Sequence, residues 1–309
     1  MPNQAELRAV VKGLYDFQKV RIMVGNRIVG NFRIKLGIQP GEKEEDAEKV
    51  IKDLLDKLRA SYKKITDGVV KITRRMKFEG DGLIDTYSEL QLIEMLIQLE
   101  KDEDKLKDIV AGMVEDFPIW TAFLEGVMGC GPQMAAVLIS EIDVHKARHV
   151  SSLWKYAGLD VADDGRGRSR RKEHLVEREY VDRNGEVKHK QGITNNPFLK
   201  TKLIGVLCSS FLRAGKDNKY AAIYYAYKHR LENHAVYGVQ NDEARKTEVQ
   251  KTTGKKYSPL LHRHNMALRY MAKMFLADLW VSWRQLEGLE VSEPYHIAKL
   301  GMKHHAIRQ

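Results

Sequence analysis

Residues 123–159 read FLEGVMGCGPQMAAVLISEIDVHKARHVSSLWKYAGL. The run at their centre, Val127-Met128-Gly129-Cys130-Gly131-Pro132-Gln133-Met134-Ala135, decides how the chain folds. Glycines two apart allow a tight turn and the close approach of a neighbouring backbone. Pro132 suits the first turn of a helix, where its missing N–H costs nothing. The unpaired N–H groups of such a helix start, helped by the helix dipole, can hold a phosphate oxygen. A helix over 117–126, a glycine turn and a second helix over 132–142 predict a helix-hairpin-helix, a device that grips nucleic-acid backbone without reading bases. The same pattern also suits a helix-loop-helix corner whose glycines serve packing alone. If the corner holds phosphate, Gly129, Gly131, Pro132, Gln133 and Met134 are the residues that do so.

Upstream, the chain reads as helices. Leu7, Val10, Val11, Leu14 and Phe17 follow a three-four spacing, and QKVRIMVGNRIVGNFRIK continues it more readily as helix than as strand. Residues 37–41, with Pro40 between two glycines, break the pattern. A helix then starts on the acids Glu42, Glu44, Glu45 and Asp46, as the helix dipole favours. Ile51, Leu54, Leu55, Leu58, Tyr62, Ile65, Val69 and Ile72 form a coiled-coil seam closed by Arg74-Arg75-Met76-Lys77. After Gly80-Asp81-Gly82 a second apolar helix follows, from Tyr87 to Met113. The pair predicts an antiparallel helical hairpin, or half of a coiled-coil dimer.

Downstream of residue 143 a helix is expected over 144–156, followed by the basic loop ADDGRGRSRRKEH. Residues 175–190 give the best strand signal, two runs around Asn184-Gly185. Further helices are predicted from Pro197, over 220–234 and over 260–286, with 238–258 as a loop or arm. The expected architecture is mainly α: a long antiparallel helical hairpin or coiled coil, then a helical domain holding a helix-hairpin-helix and one inserted β-hairpin. Its parts are 1–41, 42–116, 117–290 and a tail from 291 to 309, where Tyr295 is the main anchor.

Among 309 residues, 43% are hydrophobic and 30% charged, which describes a soluble globular chain. No apolar run approaches a membrane span, and MPNQAELRAVVKG lacks the core of a signal peptide. An intracellular, nucleoid-associated protein without a membrane partner is expected. Cys130 and Cys208 have no metal-type spacing, so neither a disulfide framework nor a structural zinc site is expected. The net charge of +10 is lopsided: 21 Lys+Arg face 25 Asp+Glu in residues 1–144, but 31 face 17 in residues 145–309. A basic half of this kind suits a polyanion. Arg166, Arg168, Arg170, Arg171, Lys172, Lys188, Lys190, Lys200 and Lys202 are the candidate phosphate contacts. Tyr220, Tyr224, Tyr225 and Tyr227 could stack on bases, although helix packing explains them more simply.

These motifs together resemble the C-terminal domain of the DEDD insertion-sequence transposases related to the Piv and MooV invertases. The resemblance rests on Gly129, Gly131, Pro132 and Ala135, then Glu141-Ile142, then Leu153, Tyr156, Gly158 and Leu159. A looser match, Ile193-Thr194 to Leu199-Lys200, follows the basic loop, and a coiled coil precedes the domain as in the family. The resemblance spans roughly residues 45–286. It implies DNA, and a guide or structured RNA, as partners. The coiled coil is expected to form a homodimer or higher oligomer or, by analogy with the family, to bring two DNA ends together.

The family also implies an N-terminal RuvC-like domain with four acidic residues for two metals, and a serine that attacks the phosphodiester. Residues 1–41 carry only Glu6 and Asp16 among the acids, on one helix, with no strand to present them. No metal-dependent nuclease site is expected in the chain, no metal ligands are assigned, and magnesium enters only if a partner supplies the acidic site. Ser169 is the single serine between Ser152 and Ser209, and its arginine-rich setting suits phosphoryl transfer. His262 and His264, without an acidic or cysteine companion, suit a helix-start surface pair better than a metal pair. The expected function is that of a DNA-binding or synapsis component in transposition. Serine-dependent strand transfer through Ser169, or a helical assembly protein binding an acidic partner, are the alternatives.

Overall fold

The computed structural model describes residues 3–35, 47–67, 72–74 and 78–292. The chain is mainly helical, with one two-stranded antiparallel sheet among the described residues. It divides into two compact units, Ala5–Gly112 and Met1–Gln4 with Met113–Gln309.

The first unit holds most of α1 (Gln4–Lys35), α2 (Ala47–Thr66) and most of α3 (Tyr87–Glu115). The ambiguous stretch after Phe17 is helix, continuous with the segment before it. One core joins Ile28, Val29 and Phe32 of α1, Leu54 and Leu58 of α2, and Ile84, Leu90, Ile93 and Leu96. Arg21 pairs with Glu103 and Lys35 with Glu89, so α3 runs antiparallel to α1. Arg59 pairs with Glu100 at 2.6 Å while Tyr62 feels the charge of Glu94, so α3 runs antiparallel to α2 as well. The apolar seam of α2 is thus closed within the chain, with α1 as third member. A reciprocal cap starts α3: the Glu89 amide donates to Thr86 Oγ1, and the Thr86 amide to Glu89 Oε2. The expected helix through Lys77 stops at Thr66, before Asp67-Gly68, and 72–74 are not helical. Residues 37–41, the acidic start 42–46, Val69, Arg75-Met76-Lys77 and the tail around Tyr295 lie outside the described residues.

The second unit is built on α10 (Pro259–Leu286), whose buried residues include Met271, Phe275, Leu276, Leu279 and Trp280. Against it pack a π-helical stretch Trp120–Leu124, α5 (Val150–Tyr156), α7 (Cys208–Arg213), α8 (Lys219–Glu232) and α9 (Asp242–Thr253). α4 (Pro132–Glu141) is buried from Met134 to Glu141, because Met134 to Ile139 are apolar on every side, and the buried Glu141 accepts from Asn196 Nδ2. α6 (Pro197–Thr201) begins on Asn196, whose side chain accepts the Leu199 amide, and runs through a π-helical turn into α7. β1 (Val176–Val181) and β2 (Val187–Gly192) form the expected hairpin, exposed on both faces over nearly its whole length.

Three further expectations are corrected. Residues 144–149 are turns, because Asp143 Oδ1 takes the amides of His145 and Lys146, and Trp280 and Arg284 hold the carbonyls of Ala147 and Val144. Residues 238–258 contain a regular helix, α9, started by Asp242 and Glu243 and stopped by left-handed Gly254. No residue of α9 is buried, so apolar periodicity could not reveal it. At the hairpin tip the Gly185 amide donates to the Asp182 carbonyl, so Asn184-Gly185 ends a longer turn instead of forming its two-residue centre.

Candidate nucleic-acid interface

The glycine corner splits its two glycines between different tasks. Gly129 has φ +94°, and a Cβ there would sit 3.2 Å from the Phe211 ring and 3.3 Å from the Ser210 backbone. It is a packing glycine, and Asn218 Nδ2 donates to the neighbouring Met128 carbonyl. Gly131 has ordinary φ, is exposed, and meets only Gln133 at 3.9 Å. Its carbonyl already takes the Met134 and Ala135 amides. With Pro132 lacking an N–H, Gly131 and Gln133 carry the amides that remain for a phosphate oxygen. Met134 is buried, so its side chain serves the core.

The basic loop is a built structure. Arg168 Nε and Nη2 both donate to Asp160 Oδ2, at 2.9 and 2.8 Å. Val161 bridges Gly167, the Ala162 amide donates to the Arg166 carbonyl, and Gly165 turns at φ +73°. Buried His174 clasps the loop: the Ser169 amide donates to its Nδ1 at 3.0 Å, and its Nε2 lies 3.1 Å from Asp164 Oδ2. An acceptor Nδ1 places the proton on Nε2, facing the carboxylate. Ser169 Oγ also lies 3.0 Å from Nδ1. The Arg166 amide, then His174, hold the Asp164 carboxyl below its usual range. Around this frame Arg166, Arg170, Arg171 and Lys172 are exposed, whereas Arg168 is spent on Asp160.

The other candidates are dispersed. Lys188 pairs with Asp182 and Glu186 at the hairpin tip, Lys190 lies over Tyr180, and Lys202 lies over Phe198. Lys200 is brought to the loop, its Nζ donating to the Arg168 carbonyl at 2.7 Å. Tyr220 is core, stacked on Phe211 and bonded to Asp278, and Tyr224 is buried against His264. Tyr227 stacks on Tyr270, leaving Tyr225 as the exposed ring of the four. His262 sits between Tyr237 and Tyr257, and burial lowers its pKa. Among the described residues no three His, Cys, Asp or Glu side chains are grouped to hold a metal. Burial pushes the Cys130 and Cys208 thiols up to about 12, which makes them poor nucleophiles.

Two residues of this region escaped the sequence reading. Arg269 of α10 reaches the floor of the loop, its Nη2 donating to the carbonyls of Gly158 and Asp160, and Lys273 lies one turn further along the helix over the Trp154 ring. A like-charged pair four apart amid core residues of one helix was the available signal.

Lys200 carries a pH signature. Burial first, and Arg269 second, lower its pKa from 10.5 to about 8. Between those values the unfolded chain binds a proton that the folded chain lacks, so this group makes stability rise with pH. The slope is at most about 1.4 kcal/mol per pH unit, and partial solvent exposure reduces it. Urea unfolding of the wild type and Lys200→Met should therefore show the wild type gaining on the variant from about pH 8 to pH 10.5. A difference independent of pH would refute the assignment.

Residues 121–181 match the model of the Transposase IS116/IS110/IS902 family. The matched segment runs from the π-helical stretch through the glycine corner, α4, α5 and the Ser169 loop to the end of β1. No curated protein and no solved structure matches the chain. Among the described residues no helix is long and apolar enough to cross a membrane. The matched segment relates the chain to transposases and supports a transposition-related function.

Proposed function

We propose that the protein is a DNA-binding component of transposition that grips the phosphodiester backbone with the loop 160–174. The observation that carries this reading is the loop's construction. Asp160–Arg168 and the His174 clasp hold its frame, and Arg166, Arg170, Arg171 and Lys172 remain exposed around it. Side chains of this type contact phosphate without reading sequence, which suits a component that positions DNA. The exposed Gly131 corner would add a backbone contact. By the resemblance a guide or structured RNA is a second polyanion for the same surface, and metal-dependent cleavage falls to a partner.

The test is a salt titration of binding to duplex DNA, single-stranded DNA and structured RNA. Each phosphate neutralised contributes about 0.9 to the slope of log K against log salt on duplex. Changing Arg166, Arg170, Arg171 and Lys172 together to Gln should reduce that slope by about 3 to 4. An unchanged slope removes the loop from the interface. A near-zero slope in the wild type, with an acidic protein copurifying, favours the assembly-protein alternative.

A second reading, serine-dependent strand transfer, is favoured by the line Ser169–His174–Asp164. In that step Ser169 Oγ attacks phosphorus and its proton passes to His174 Nδ1. The P–O bond opposite breaks, and the leaving oxygen takes a proton from the imidazolium. Asp164 would stabilise the imidazolium. This reading predicts a DNA adduct on denaturing gels that is lost in Ser169→Ala and lowered at least tenfold in His174→Gln. Adducts persisting in Ser169→Ala would sink it.

A further inference from the structure

Three half-buried cations, Lys200 of α6 and Arg269 and Lys273 of α10, gather under the loop that carries Ser169. Lys200 and Arg269 are tied to backbone carbonyls, of Arg168 in one case and of Gly158 and Asp160 in the other. Gly167 lies so close over the Arg269 guanidinium that a Cβ would sit 2.7 Å from Cζ. Lys273 sits four residues along the same helix from Arg269, with its ammonium 5.3 Å from the Trp154 ring centre.

The charges do not balance. Asp160 is the one carboxylate whose field reaches all three, and its Oδ2 is committed to Arg168. Among the described residues none of the three cations has a carboxylate at ion-pair distance. Burial first, then Arg269, lowers the pKa of both Lys200 and Lys273, and burial lowers that of Arg269 itself. Like charges held together in this way cost stability, and a bound anion relieves the cost.

We propose that Lys200, Arg269 and Lys273 form a seat for one phosphate group beneath the Ser169 loop, with Lys273 as the cation left free to bind it directly. The inference rests on the phosphodiester reading above but names residues outside the exposed rim. A phosphate seated here lies next to Ser169, because Lys200 holds the carbonyl of the residue before it. The Trp154 ring on α5 and the carbonyls of Gly158, Asp160 and Arg168 hold the cations, so the seat exists before the ligand arrives.

The test compares the wild type, Lys273→Met and Lys273→Gln, with Lys146→Met as a control at an exposed site 86% accessible in its side chain. Melting is followed in chloride, inorganic phosphate and pyrophosphate at equal ionic strength, and oligonucleotide binding is titrated against salt. The wild type and Lys146→Met should be stabilised by phosphate beyond chloride, and the Lys273 variants should lose that increment. In chloride alone the Lys273 variants should melt no lower than the wild type, because removing the charge relieves repulsion.

If backbone phosphate is the occupant, the Lys273 variants bind duplex about tenfold more weakly, with a slope shallower by about 0.9. If oligonucleotide binding is unchanged while the phosphate increment is lost, the seat stands and takes a free phosphate. Lys273 variants that match the wild type in both phosphate response and oligonucleotide binding overturn the seat. That outcome leaves the DNA-binding reading intact wherever the rim variants still lose slope.

Discussion

Replacing Phe275 by alanine is expected to destabilise the second unit by about 3–5 kcal/mol, the range for emptying a buried aromatic site. Its ring is fully buried, edge-on to Phe211 at 5.4 Å and to Tyr220 at 5.3 Å, with Phe123 at 6.3 Å. Phe211 in turn stacks on Tyr220 and supports Gly129 of the glycine corner. The cavity therefore opens where α7, α8, α10 and the corner meet. Urea unfolding measures the loss, and Phe275→Leu should recover more than half of it. A loss below about 1 kcal/mol for alanine would mean that the aromatic cluster is not packed as described.

Gly158→Ala is expected to cost about 2–5 kcal/mol and to abolish tight DNA binding. The residue has φ +66°, a left-handed conformation that costs a side chain about 1–2 kcal/mol. The added Cβ would also stand 2.7 Å from Asn195 Nδ2 and 2.8 Å from its Cγ, an overlap that adds about 1–3 kcal/mol. Asn195 cannot retreat freely, because the next residue donates its amide to the Tyr156 carbonyl and its side chain to the Tyr156 hydroxyl. The Gly158 carbonyl also accepts from Arg269, so the shift would reach the cations under the loop. Gly131→Ala is the contrasting variant, since its position has ordinary φ and room for a Cβ; its stability should change by less than about 0.5 kcal/mol. Equal melting of the two variants would show that the left-handed turn after α5 carries no strain for a side chain.

Periodicity and turn chemistry were legible along the chain because they are local. Leu7, Val11 and Leu14 mark a helical face within one segment, and the same holds for α3 and α10. The hairpin was legible from strand residues flanking Asn184-Gly185, although its exact turn was not, since that depends on the Asp182 side chain collecting the amides of Asn184 and Glu186. Where a helix lacked an apolar face, as α9 does, the local signal failed. Where an apolar seam admitted two partners, as in α2, periodicity could not choose between a second chain and α1 with α3.

By itself, then, the sequence determined the helical class, the glycine corner, the inserted hairpin and the basic character of the second half. Tertiary structure alone decided which charges remain available. Arg168 is consumed by Asp160, eight residues before it, and Met134 and Tyr220 disappear into the core. Lys200 comes to lie beside Arg269, and His174 folds back between Ser169 and Asp164. The physical reason is one of range. Backbone conformation follows from side chains a few residues apart, whereas the pairing or isolation of a charge follows from packing between segments as distant as α6 and α10.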